Sequence, residues 1–298
     1  MQWDSAVAMP RHHALLPLAA TFAAVGLLAL MDAFMKGAAL AAGVYSATLL
    51  RAALSCALAA PIWLTRGGRW PGAKALKLHA MRGAVSAIMA LTFFYAITKL
   101  PIAEAIAISF VAPLIALYLA AIILKETVQR KAVYASLLGF AGTVVIVAGR
   151  MGEAQGGTQT LLGLAAILFS AMLYALNFII IRLQSQAAGP AEVATFHGGV
   201  SALVLAVAAP WLLEWPTTGA LLDISGAALL TVMGAMLLAW AYAREEAQAL
   251  VPVEYSGFLW AVLFGWMFFG EQVTVATLMG TGLIVIGSFL AIGRKTRI

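Results

Sequence analysis

Only 10% of the 298 residues are charged, so a charged or amide side chain inside an apolar run is where chemistry would sit. At the centre of a bilayer such a charge costs about 2.5–3.5 kcal/mol on insertion scales, and it needs an internal partner or a wet cavity. Arg51 and Asp32 each lie within apolar runs. A guanidinium binds a carboxylate through two parallel hydrogen bonds. Arg51 is therefore an anion hook for a solute carboxylate, or the partner of Asp32 in a buried pair; the pair is favoured, and both roles coexist if it opens during a transport cycle. Lys36, one helical turn beyond Asp32, is expected to snorkel outward. Glu254, two residues after Pro252, either holds a solute amine, titrates as a proton site, or caps backbone that the proline frees.

His197, beside Gly198 and Gly199, is a conceivable proton relay, although a hydrogen-bonded packing role is the simpler one. Asn177, the only asparagine, and Tyr174 are three residues apart and share a helix face, where they bridge helices or touch solute. Tyr95, Trp240, Tyr242, Tyr255 and Trp260, with Phe93 and Phe94, offer aromatic walls that suit an apolar or aromatic solute, while packing explains any one of them. Pro101, Pro113 and Pro252 are candidate bends for gating. Trp63, Trp70, Trp211 and Trp215 fall at the ends of apolar runs and read as interfacial belt residues.

Other chemistries lack their residues. No Gly-x-Ser-x-Gly elbow, His-Glu-x-x-His pair or phosphate-binding glycine loop occurs, so no enzyme, cofactor or metal site is expected. One cysteine, Cys56, excludes an internal disulfide. The net charge of +6 lacks the basic stripe with interleaved aromatics that nucleic acid requires.

The elements that must position these groups follow from composition. Hydrophobic residues make up 63% of the chain and mean hydropathy is +0.98, which places it in a bilayer. Apolar runs of about twenty residues recur and predict ten transmembrane helices, including single helices over 102–124 and 247–269. The first run, after Arg11, also resembles the apolar part of a signal peptide, a reading disfavoured because its removal would delete Asp32. With the N-terminus inside, fourteen of the eighteen basic residues fall on inner ends, and only Lys36, Lys99 and Arg150 on outer ones. That is the positive-inside pattern, and it predicts both termini in the cytoplasm of a bacterial inner membrane.

The chain also states itself twice. Glu126 and Glu271, Gly142 and Gly287, Asp32 and Asn177, and Ala96 and Ala241 are all pairs 145 residues apart. The same offset sets Ser109 against Glu254, which breaks the symmetry at that point. Five crossings is an odd number, so the second copy enters the membrane from the opposite face. The expected fold is all-α, a 5+5 inverted repeat around a central cavity: residues 1–148, a glycine-rich linker at 149–160, and residues 161–298. Glu126 and Glu271 are expected to cap the amides of the helix that follows each of them.

Ser109–Pro113 leading to Lys125 and Glu126, and Tyr255-Ser256 with Trp260, Gly265-Trp266 and Phe269-Gly270-Glu271 followed by Gly280 and Gly287, resemble the two EamA-type halves of the drug/metabolite transporter superfamily. The resemblance runs from about Leu15 to Gly293. Phe258 stands where a proline often ends the motif, and Asp32-Ala33 where Trp-Gly is common. The resemblance implies ten helices, a midplane cavity and export of small metabolites, with the bacterial exporters of amino acids, aromatic ones among them, the nearest match. Partners are then a small solute and the lipid bilayer, with proton coupling conceivable.

Overall fold

A computed structural model describes residues 15–124, 130–152, 157–184, 188–245, 250 and 253–291. Every regular element among them is helical. In order these are α1 (Leu15–Ala42), α2 (Val44–Thr65), α3 (Ala73–Lys99), α4 (Ile102–Ser109), α5 (Ala112–Leu124), α6 (Arg130–Gly152), α7 (Thr158–Gln184), α8 (Pro190–Ala206), α9 (Ala209–Leu212), α10 (Thr218–Tyr242), α11 (Ser256–Phe269) and α12 (Val275–Ala291). Five of them, α1, α2, α3, α7 and α10, contain stretches long and apolar enough to cross a membrane. Their outward residues, such as Leu40, Leu222 and Phe169, are exposed and apolar, as a lipid-facing surface requires.

Local chemistry sets the ends. Pro101 forces Leu100 into extended backbone, which separates α4 from α3 instead of kinking a continuous helix. The expected single helix over 102–124 is likewise two pieces. Pro113 has no N–H to give the Ser109 carbonyl, and its ring would clash there, so the chain turns at Phe110–Val111. Gly270 closes α11 in the left-handed region at φ 64°, its N–H donating to Trp266 O at 3.0 Å. Pro252, like Lys125 and Glu126, lies outside the described residues.

The offset of 145 carries α1 onto α7, α2 onto α8–α9, α3 onto α10, α5 onto α11 and α6 onto α12, with helix starts agreeing within two residues. Packing obeys the same exchange. α1 lies on α10 and α3 on α7; α3 lies on α8 and α2 on α10; α1 lies on α11 and α5 on α7; and α2 pairs with α8, as α6 does with α12. Each principal contact thus joins one half to the other and has its mate. Where α6 crosses α12, a Cβ on Gly142 would strike Gly280 O, and one on Gly280 would strike Gly142 O, so glycine permits the close approach. Phe110 and Tyr255, equivalent residues at the two helix breaks, meet edge to face with centroids 4.9 Å apart. The apolar core surrounds α4, whose Ile102, Ala105, Ala107 and Ile108 are fully buried.

Candidate functional site

Between the halves runs a file of polar side chains that this exchange assembles. α1 brings Asp32, α2 brings Arg51, α3 brings His79 and Arg82, α7 brings Tyr174, Asn177 and Gln184, α8 brings Glu192 and His197, and Tyr242 and Glu254 come from the last third of the chain. Tyr174 is within electrostatic reach of Asp32, Arg82 and Glu254, and His197 is within reach of Arg82 and Arg51. The file is one connected field.

Arg51 does not form the expected ion pair with Asp32. Its Nη1 donates to Thr231 Oγ1 at 3.3 Å, its guanidinium lies 5.2 Å from the Phe94 ring centre, and its buried Nε finds no acceptor among the described residues. α1 and α2 are held by α10, which sets Thr231 beside Arg51. Asp32 makes no hydrogen bond or ion pair among the described residues, yet its field reaches Arg51. The two groups therefore lie within electrostatic reach of each other, each with bonding capacity left over among the described residues.

The other candidates divide. Asn177 accepts from Arg82 Nε at 3.3 Å, and Tyr242 donates a hydrogen bond to Glu254. Tyr174, Trp240 and Tyr242 are each more than a third exposed. His197 Nδ1 is buried and has no hydrogen-bond partner among the described residues. Ser109 is occupied locally, its hydroxyl donating back to Ala105 O at 2.8 Å. Tyr95 sits under Lys99 at the end of α3, and Trp240 under Arg244, 4.2 Å from ring to guanidinium. Trp260 stacks with Phe264 and packs against Phe22 of α1, and Tyr255 meets Phe110; both serve helix contacts. Trp63, expected at the membrane interface, packs on Phe196 at 5.4 Å.

Two groups read differently from the sequence. Lys36 does not snorkel: it is buried, ion-paired with Glu271, and donates to Leu100 O at 2.8 Å. Glu271 is a helix cap, but of the other half, since its Oε2 accepts from Ile102 N at the start of α4 at 2.8 Å. The helix that follows it is capped instead by Thr274, whose Oγ1 accepts from Thr277 N at 3.1 Å. Glu126 lies outside the described residues.

Four site residues were not singled out in the sequence. Arg82 Nη1 donates to Gln184 Oε1 at 2.7 Å, Gln184 Nε2 meets His79 Nδ1 at 2.6 Å, and His79 Nε2 meets Glu192 Oε1 at 2.9 Å. Arg82 sits close to Lys74 and Lys77 and so passes for an inner-end charge. Its signal is spacing: His79 and Arg82 are three apart, Asn177 and Gln184 seven apart, each pair on one helix face. Glu104 on α4 was also missed; it is buried and accepts from Thr277 Oγ1 at 3.2 Å.

Comparison with known proteins decides the family. The EamA-like transporter family model matches residues 15–148 and again 161–293, nearly the whole chain. This chain belongs to the EamA-like transporter family. The transporter is 29% identical over 222 residues to an uncharacterized transporter of Helicobacter pylori, covering 72% of each chain. It is 24% identical over 225 residues to the pseudopaline exporter of Pseudomonas aeruginosa, covering 73% of this chain and 75% of that one. To the riboflavin transporter of Brucella anthropi it is 26% identical over 253 residues, covering 81% and 85%. A solved crystal structure superposes with a TM-score of 0.64 at 20% identity, over 92% of this chain and 97% of its own; this bears on the fold alone. The transporter is a multi-pass membrane protein that handles small solutes, as its family does.

Proposed function

We propose that this protein exports small amphipathic metabolites, amino acids first among them, across a bacterial inner membrane by alternating access. The observation that carries the reading is the free bonding capacity of Asp32 and Arg51 in a file shared by both halves. Arg51 takes the solute carboxylate, Asp32 or Glu254 its amine, and the exposed rings of Tyr174, Trp240 and Tyr242 its side chain. The two matched halves become inverted five-helix repeats, ten crossings in all, spanning 1–148 and 161–298 around the joint at 149–160, with both termini cytoplasmic. The basic inner ends support that orientation.

Alternating access is rocking of one half against the other about the Phe110–Tyr255 contact and the Gly142–Gly280 crossing. Pro101 and Pro113 define the short buried α4, whose first amide is held by Glu271 of the other half. The Lys36–Glu271 pair closes one end of the bundle, one turn from Asp32. A second reading, an aromatic solute without a carboxylate, draws support from the riboflavin transporter relative and the same rings. A proteoliposome uptake screen of amino acids, nucleosides and riboflavin separates the two. Saturable amino-acid flux that Arg51→Ala abolishes supports the first; riboflavin or nucleoside flux indifferent to Arg51→Ala replaces it with the second. No flux of any solute from correctly inserted protein sinks both.

A further inference from the structure

The Arg82–Gln184–His79–Glu192 chain has only one possible arrangement of hydrogens. An arginine side chain donates and never accepts, so the Gln184 atom 2.7 Å from Arg82 Nη1 must be its carbonyl oxygen. The other end of the amide is then NH2, and it donates to His79 Nδ1 at 2.6 Å. Nδ1 is therefore a bare lone pair, the ring proton sits on Nε2, and Nε2 donates to Glu192 Oε1 at 2.9 Å. His79 is held neutral in one tautomer by an arginine it does not touch.

A second proton on His79 goes to Nδ1 and faces the Gln184 NH2, donor against donor, inside a site where both residues are buried. Turning the amide repairs this contact and creates the same conflict at Arg82. Protonated His79 and the Arg82–Gln184 bond exclude each other. We propose that His79 is a proton-binding site of this transporter, read out in the polar file between the halves through Gln184 by the release of Arg82. The significance of that release rests on the transport reading above. Once released, Arg82 keeps its Asn177 bond through Nε and presents Nη1 and Nη2 together, the edge that grips a carboxylate. Linkage is reciprocal, so a carboxylate that draws Arg82 away favours the proton on His79.

The surroundings leave His79 to this circuit. α8 supplies Glu192 and the Phe196 ring, stacked 4.6 Å from the imidazole, and α7 supplies Gln184. α3 itself supplies Arg82 through the amide. α1, α2 and α4 also pack on α3, and among the described residues none of their side chains hydrogen-bonds or ion-pairs with His79. His197, further along α8, lies within electrostatic reach of Arg82.

The test is 15N NMR of the full chain in lipid nanodiscs, labelled at histidine and arginine, with His79→Gln and Arg82→Lys to assign signals. The expected result is a single Nε2–H tautomer for His79 at neutral pH, and Arg82 signals that move with the same pH midpoint as His79. In Gln184→Leu, His79 still titrates while Arg82 no longer follows it; Gln184→Met serves if the leucine variant does not fold. An Nδ1–H tautomer, Arg82 signals that stay still while His79 titrates, or Arg82 tracking His79 without Gln184 would each overturn the proposal. No solute is needed, so this result and that of the uptake screen fail independently.

Discussion

Glu271, in the second half of the chain, accepts a hydrogen bond at 2.8 Å from the backbone N–H of Ile102 in the first, and its other oxygen holds Lys36 of α1. One carboxylate thus ties three segments at one end of the bundle. Glu271→Gln takes the carboxylate away from the buried Lys36 ammonium, and breaking a buried pair costs about 3–5 kcal/mol. The melting temperature in detergent is expected to fall clearly. Lys36→Met with Glu271→Gln recovers most of the loss, because neither charge is then stranded. A double variant no better than the single would show that the pair does not hold this end closed.

Arg51 over Phe94 distinguishes a planar cation from a point charge. Arg51→Lys keeps the charge but loses the fork and the stacking, worth about 0.5–2 kcal/mol for the ring contact. The half-saturation concentration for a transported amino acid is expected to rise about tenfold, with maximal flux less affected. An unchanged value would remove Arg51 from solute contact.

The proton circuit fixes the sign of a pH effect. Acid puts the second proton on His79, the amide leaves Arg82, and Arg82 gains its carboxylate-binding edge. Affinity for a carboxylate solute therefore rises as pH falls, by about fivefold or more for a coupling of this kind. Gln184→Leu flattens that profile. Affinity that is constant across the range in the wild type, or that falls in acid, contradicts the sign.

The α6–α12 crossing tests the halves as one machine. Gly142→Leu inserts a side chain against the Gly280 backbone and Ile284, where a strained packing change costs about 1–3 kcal/mol or more. Reduced yield of folded protein is expected, measured by size-exclusion recovery in detergent. Gly219→Leu, at a position with open space around it, serves as the tolerated control.

The sequence by itself determined the solvent, the helices and the doubling. Apolar runs that cannot leave their backbone groups unpaired in lipid must be helical. The 145-residue offset, visible in Glu126 and Glu271, already paired each half with the other, and the aligned helix starts follow it. It also marked Arg51, Asp32 and Glu254 as charges needing a reason. What it could not supply was which polar groups meet, because periodicity gives the face of a helix but not what lies opposite. Asp32 and Arg51 sit at similar depths yet do not bond, since α10 brings Thr231 and α3 brings Phe94 to Arg51 first. Lys36 read as a snorkelling end until a carboxylate 235 residues away proved to be its partner. Arg82 read as an inner-end charge until α7 laid Asn177 and Gln184 against it. The bonds of Arg51 to Thr231, of Lys36 to Glu271 and of Arg82 to Asn177 and Gln184 all join the two halves, and only their docking decides them.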